Sequence, residues 1–221
     1  MRVDENYWLM QARFWLNRRW RAKRRKDAET LLRFRKLVRS LPAGALAVDC
    51  GANVGTVTDL LLKAGLRVIA FEPDPDAFRE LSAKFGNHPR AILHNKAVGA
   101  SARTMKLHRT PKARTGDIGQ TIGSTLISHA LVDADEGIVV EVIDLPKYLL
   151  EIGEEVSLLK LDVEGAEAEI VQALLDRGHD HIRTILVETH EGFIPEIAED
   201  LARIRKRVAE ERLSKFDLEW V

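Results

Sequence analysis

With 221 residues, 45% apolar and 31% charged, the chain can form one α/β domain with a full core plus a modest extension. Its single cysteine, Cys50, excludes an internal disulfide framework and fits a reducing compartment. No apolar run approaches the length of a signal peptide or membrane span, so the expectation is a cytoplasmic protein with no transmembrane segment. The formal net charge of zero hides an asymmetry: residues 1–40 hold 13 Lys/Arg against 4 Asp/Glu, and the remainder carries the compensating negative excess.

Residues 1–44 read as a basic helical extension. Trp8, Ala12, Trp15 and Leu16 share one helical face, and Leu31, Phe34 and Val38 another. Between them Arg18-Arg-Trp-Arg-Ala-Lys-Arg-Arg-Lys26 packs seven cations into nine residues. One reading is a surface for anionic lipid, nucleic acid or acidic glycan. The other is a solvated helix whose tryptophans dock on the domain or on a second subunit, which needs no new partner. Leu41-Pro-Ala-Gly44 closes the segment, and residues 45–221 form the expected main domain.

From Ala45 onward strands and helices alternate, which predicts a mostly parallel sheet with helices on both faces. The run Leu46–Val48 is a buried strand, followed by a turn containing Gly51, Asn53 and Gly55 and a helix carrying Val57, Leu60, Leu61 and Ala64. A strand, a small-residue turn and a helix place a ligand against the helix's first turn, where backbone N–H groups are unpaired. The second strand, Arg67–Glu72, ends in a carboxylate suited to a ribose diol. Pro73 to Pro75 begin a helix with Phe78, Leu81 and Phe85 inward, and Ala91–His94 is the third strand. Residues 101–143 break the rhythm with strand-like pieces at Met105–His108 and Val139–Ile143 around a polar loop. A short helix follows over Asp144–Ile152. Val156–Gly165 reads as a buried strand ending in the carboxylates Asp162 and Glu164. The helix beyond it buries Ile170, Ala173 and Leu174, with Glu164 and Glu167 favourable at its N-terminus. Thr184–Glu191 reads as a fifth strand, Pro195 opens a helix, and Phe216–Val221 reads as a sixth strand.

The turn does not follow the dinucleotide pattern G-x-G-x-x-G: Asn53 stands at its second glycine and Thr56 at its last. The pattern is D-x-G-x-N-x-G, and Asp49 beside the turn suits a ligand bearing an amino group better than one bearing phosphates. S-adenosyl-L-methionine, with a ribose, an amino acid and a sulfonium but no phosphate, meets these demands. The polar residues Asp49, Glu72, Asn95, Asp162, Glu164, Glu188 and His190 all fall at carboxyl ends of predicted strands, and in an open α/β sheet those ends converge on one crevice. Singly, Asp49 or Glu164 could be helix-end carboxylates and His190 a packed histidine; jointly they are harder to explain that way. Lys160 shares a strand face with Asp162 and reads as the partner neutralising a buried carboxylate. Asp162, Glu164, Glu188 and His190 offer oxygen and nitrogen ligands, but no compact ligand motif is present, so no metal is assigned.

Val48-Asp-Cys-Gly-Ala-Asn-Val-Gly55, Phe71-Glu-Pro73 and Leu159-Lys-Leu-Asp-Val-Glu-Gly-Ala-Glu167 resemble the FkbM-type family of class I S-adenosylmethionine-dependent methyltransferases. The resemblance covers about residues 45–191. It implies a Rossmann-like three-layer sandwich and O-methylation of a hydroxyl on a sugar, glycan or polyketide-like acceptor. It further implies cofactor contacts from Asp49, Gly51, Ala52, Asn53, Gly55, Thr56, Glu72, Pro73, Asn95, Ala97, Val98 and Asp162. Asp162, Glu164 and His190 are the candidate catalytic groups, His190 as the general base. The alternative is a nucleic-acid-directed methyltransferase or RNA-binding protein led by the basic arm. The chain lacks the seventh, antiparallel strand usual in class I enzymes, which points to a sheet edge covered by another subunit, in a homo-oligomer, or by the N-terminal helices.

Overall fold

A computed structural model describes residues 29–108, 137–192 and 194–220. The chain falls into two compact units, one ending at Ser40 and the other spanning Leu41–Trp220. Helix α1, over 29–40, is the described part of the first. The cation-rich stretch 18–26, the face around Trp15 and the polar loop within 109–136 lie outside the described residues. Among those described, no helix is long and apolar enough to cross a membrane.

The second unit is built around β1 (Leu46–Cys50), every residue of which is buried. A parallel strand covered on both faces requires such a continuous run. It pairs in parallel with β2 (Arg67–Phe71) on one side and β7 (Val156–Leu161) on the other, so that Cys50 lies level with both Phe71 and Leu161. β3 (Ala91–His94) extends the sheet beyond β2. On the far side β8 (Ile185–Val187) and β9 (Phe216–Asp217) follow β7, giving the order β3-β2-β1-β7-β8-β9 with every pairing parallel.

Helices α2 (Thr56–Lys63) and α3 (Pro75–Phe85) connect the strands on one side of β1. Helices α5 (Glu167–Arg177) and α6 (Ala198–Glu210) connect those beyond β7. Because the chain steps outward in opposite directions, right-handed crossovers put the two pairs on opposite faces. The reversal falls between β1 and β7, and a doubly wound sheet opens its ligand crevice there, beyond the strands' carboxyl ends.

A second, three-stranded sheet holds β4 (Ala97–Gly99), β6 (Gly137–Asp144) and β5 (Arg103–His108), in the order β4-β6-β5. β4 runs parallel to β6 and β5 antiparallel to it. Leu107, Val140 and Val142 join the core of the main sheet, while Val139 faces outward between them. Asp144 then caps α4 (Leu145–Glu151) by accepting from the Lys147 amide at 3.0 Å.

Three details differ from the sequence expectation. α2 buries Thr58, Leu61 and Leu62, and leaves Val57 and Leu60 half-buried. The helix is rotated to bring the Thr58 hydroxyl onto a buried carboxylate. β8 stops at Val187, so Glu188 to His190 leave the ladder and turn into the crevice. At the C-terminus only Phe216 and Asp217 pair as strand.

Candidate active site

The turn after β1 is shaped by its neighbours. The amides of Gly51 and Ala52 both donate to the Phe71 carbonyl at 3.0 Å, tying the turn to the end of β2. Gly51 has φ +77, and a Cβ there would lie 1.7 Å from the Asp162 carbonyl oxygen. Only glycine permits both the left-handed backbone and so close an approach of the β1 and β7 exits. Asn53 also adopts a left-handed conformation, φ 49, its side-chain oxygen accepting from the Val54 amide at 2.7 Å. Gly55 precedes α2 with φ 89, and no side chain caps the helix. Thr56 is exposed on its first turn, whereas the Ala52 side chain is buried beneath the turn.

Beneath this turn lies a buried ion cluster. Asp49 is fully buried; one oxygen accepts from the Thr58 hydroxyl at 2.7 Å and the other lies 3.4 Å from Lys160 Nζ. Lys160 donates to the Gly51 carbonyl at 2.9 Å and lies 3.1 Å from Asp162. Burial pulls the lysine's pKa down, but Asp49 and Asp162 together drive it above its ordinary value, so the ammonium keeps its proton. The neutralising role read for Lys160 is the one observed. The contact between Asp49 and a ligand's amino group is not available, because Thr58, Lys160 and the turn itself enclose that carboxylate. Cys50 is also buried, and burial first, then Asp49, push its thiol far up, leaving it unreactive.

Glu72, at the end of β2, is 6% exposed. Its two oxygens accept from the amides of Asn53 at 2.7 Å and Asp74 at 2.8 Å. Burial lifts its pKa to about 7 against the opposing pull of those amides. The Asn95 side chain donates to the Glu72 and Pro73 carbonyls at 2.8 and 3.2 Å, joining the β2 and β3 exits. Beside them opens a small, mostly apolar cleft lined by Gly51, Phe71, Pro73, Ala97, Val98 and Val163, with the charged Lys96 also on its wall. The Phe71 ring is held by a stacked His94 and an edge-on Tyr148, at centroid distances of 4.8 and 5.3 Å. An apolar slot beside a buried, incompletely stabilised carboxylate suits a nucleoside. A ribose diol would give Glu72 the donors that its burial withholds.

The β7 exit carries the reactive groups. Glu164 (φ 53) and Gly165 (φ 121) are both left-handed, a strained pair of the kind that persists where the surroundings hold it. Glu167, the first residue of α5, supplies that hold. Wholly buried, it accepts from the Val163 and Gly165 amides at 3.3 and 2.9 Å, and from the His190 Nδ1–H at 2.7 Å. The opposite ring nitrogen, Nε2, faces Glu164 at 3.5 Å, Asp162 at 3.8 Å and Glu188 at 4.0 Å. Glu188 keeps its place because its amide donates to the Leu161 carbonyl at 2.9 Å. One donor atom each from Asp162, Glu188 and His190 lies within 4.8 Å of the others.

These surroundings set the protonation. Burial depresses the His190 pKa, yet its bond to Glu167 and the charges of Glu167, Glu164 and Asp162 outweigh it and raise the value to about 9. These charges favour the imidazolium form of His190, the opposite of the form a general base needs. Burial, and then the charge of Asp162, raise the pKa of Glu188 as well, to about 7. Asp162, Glu164 and His190 do come together as the sequence suggested. Glu167 was missed because a carboxylate at a helix start is usually explained by the dipole alone. Its signal was the D-x-E-G-x-E spacing, which folds the glutamate back under its own turn.

The model of the methyltransferase FkbM domain matches residues 49–215. The chain is 28% identical over 149 residues to the hexuronic acid methyltransferase AglP of Haloferax volcanii, an alignment covering 66% of this chain and 56% of that protein. It is 27% identical over 177 residues to the 31-O-demethyl-FK506 methyltransferase FkbM of Streptomyces tacrolimicus, covering 68% and 67%. The chain thus spans little more than half of the first relative and two thirds of the second. A crystal structure of precorrin 8W decarboxylase from Methanobacterium thermoautotrophicum superposes with a TM-score of 0.41 at 18% identity, over 78% of this chain and 70% of that one. The matched span runs from Asp49 in β1 to Lys215, just before β9, and it encloses every group of the crevice. The chain belongs to the family of FkbM-domain methyltransferases.

Proposed function

We propose that the protein transfers a methyl group from S-adenosylmethionine to a hydroxyl of a sugar, glycan or polyketide-like small molecule. The observation that carries this reading is an apolar cleft walled by Phe71 and Pro73, on either side of Glu72 in the chain, and by Val163, which stands between the carboxylates Asp162 and Glu164. The names of two relatives, acting on a hexuronic acid and on 31-O-demethyl-FK506, support an oxygen acceptor. In this reading Glu72 holds the ribose, Pro73, Asn95, Ala97 and Val98 border the adenine, and the backbone from Gly51 to Thr56 receives the methionine part.

S-adenosylmethionine, when bound, supplies an electrophilic methyl group on a good leaving group. The chain's own work is alignment, exclusion of water and removal of one proton. Asp162, tethered by Lys160, fixes the boundary between cofactor and acceptor. Glu164 and Glu188 lie where a hydroxyl proton can be taken, and His190, held by Glu167, keeps those carboxyls gathered. The test is calorimetry with S-adenosylhomocysteine, followed by a screen with methyl-labelled cofactor against pools of sugars, glycolipids and small hydroxylated molecules. Binding with transfer to a hydroxylated acceptor is expected. Absence of heat and of any thermal shift with the homocysteine product would overturn the assignment.

A further inference from the structure

We propose that the crevice also holds one divalent metal cation, bound by Asp162, Glu188 and His190, whose remaining positions take oxygens of the methyl acceptor. The three donors come from the exits of two adjacent strands, and their atoms lie within 4.8 Å of one another. Adjacent ligands at about 2.1 Å on one octahedral ion stand about 3.0 Å apart, so the set must draw in by roughly 1–2 Å, a displacement within reach of carboxylate side-chain rotation. The two carboxylates are half-exposed toward the crevice, at 29% and 28%, which leaves coordination positions open on that side.

His190 is the observation that separates this group from an ordinary acidic patch. It is 6% exposed, and its Nδ1 is committed to a buried glutamate that is itself fixed by two backbone amides. That bond sets the ring so that Nε2 points into the group. Among the described residues Nε2 makes no hydrogen bond, its nearest oxygens lying at 3.5 to 4.0 Å. A carboxylate behind a histidine whose other nitrogen faces carboxyl oxygens is how proteins present an imidazole to a metal. The local charge argues the same way: among the described residues, Asp49, Asp162, Glu167 and Glu188 gather around Lys160 and His190. Two carboxylates and one imidazole make a hard-to-borderline set, suited to Mn²⁺ or Mg²⁺ rather than to a thiophilic ion.

Binding of the cation displaces the proton on Nε2 and the proton that Glu188 carries below about pH 7. Its use toward the acceptor rests on the methyltransferase reading. A bound hydroxyl becomes more acidic and is held in place; its proton passes to Glu164 and its freed electron pair takes the methyl group. The bonds made and broken remain those of the methyl transfer.

The test uses the full chain, stripped with a chelator. Mn²⁺ is titrated while free Mn²⁺ is followed by electron paramagnetic resonance, and S-adenosylhomocysteine binding is measured in parallel. A single Mn²⁺ per chain is expected, with Glu188→Gln weakening it by about tenfold or more and leaving S-adenosylhomocysteine affinity within about twofold. Asp162→Asn provides a second variant should the first fold poorly. Failure of the wild type to take up Mn²⁺, or binding unchanged in both variants, overturns the metal site even if the cofactor product binds. Uptake of Mn²⁺ that the variants abolish, without S-adenosylhomocysteine binding, upholds the metal site and removes the methyltransferase reading instead.

Discussion

Glu72 and Asp162 are where single atoms decide most. Glu72→Ala removes a charge-assisted contact to the ribose, so S-adenosylhomocysteine affinity should fall by about 1.5–3 kcal/mol in calorimetry. Its raised pKa gives a further signature. A carboxyl whose folded value stands near 7 against an ordinary 4.5 binds its proton more tightly in the native state. Its contribution to stability is therefore present below pH 4.5 and is lost as pH rises through about 7, by an amount on the order of 3 kcal/mol. Donors from a ribose favour the ionised form, so affinity for S-adenosylhomocysteine should rise with pH through about 7, with proton release on binding near pH 6. Equal affinities at pH 6 and 8 would contradict a ribose contact. Asp162→Asn keeps the shape but removes the charge, and turnover should drop by about 10²-fold or more, with a thermal midpoint close to wild type.

At the level of elements, the two glycine-bearing turns are not equivalent. Gly51 carries a left-handed backbone and the near contact with the Asp162 carbonyl, whereas Gly153 has φ 71 with nothing within 4 Å of an added Cβ. Gly153→Ala should cost about 1 kcal/mol from backbone strain alone. Gly51→Ala must push β1 and β7 apart and should cost at least 3 kcal/mol, or prevent folding. Urea midpoints of the two variants compare the effects directly. The strand-turn-helix at Leu46–Lys63 was legible because periodicity and turn chemistry are local. The burial of Thr58 was not, since its hydroxyl is drawn inward by Asp49, whose other oxygen faces Lys160, more than 100 residues away. His190 was legible as a strand-end group. Its charge was not, because that depends on Glu167, Glu164 and Asp162 meeting it from another strand and its following turn.

Across the whole molecule, every crevice residue belongs to the unit Leu41–Trp220. Deleting residues 1–40 should therefore leave S-adenosylhomocysteine affinity within about twofold. It should change light-scattering mass or retention on liposomes or RNA if the basic arm has a partner; identical behaviour in those assays would deny it both roles. The parallel character of the main sheet followed from the alternation of strands and helices, whereas the separate β4-β6-β5 sheet did not, its strands being interrupted by a long polar stretch. One consequence concerns time rather than position. The amides of Asn53, Val163 and Gly165 sit in turns, where exchange with deuterated water is ordinarily fast, yet each ends on a buried glutamate oxygen. Exposing them requires lifting Glu72 or Glu167 out of the interior, and for Glu167 that means releasing His190 and the start of α5 as well. These three amides should therefore exchange with the slow class of the central strands, making the crevice as long-lived as the core on which it stands.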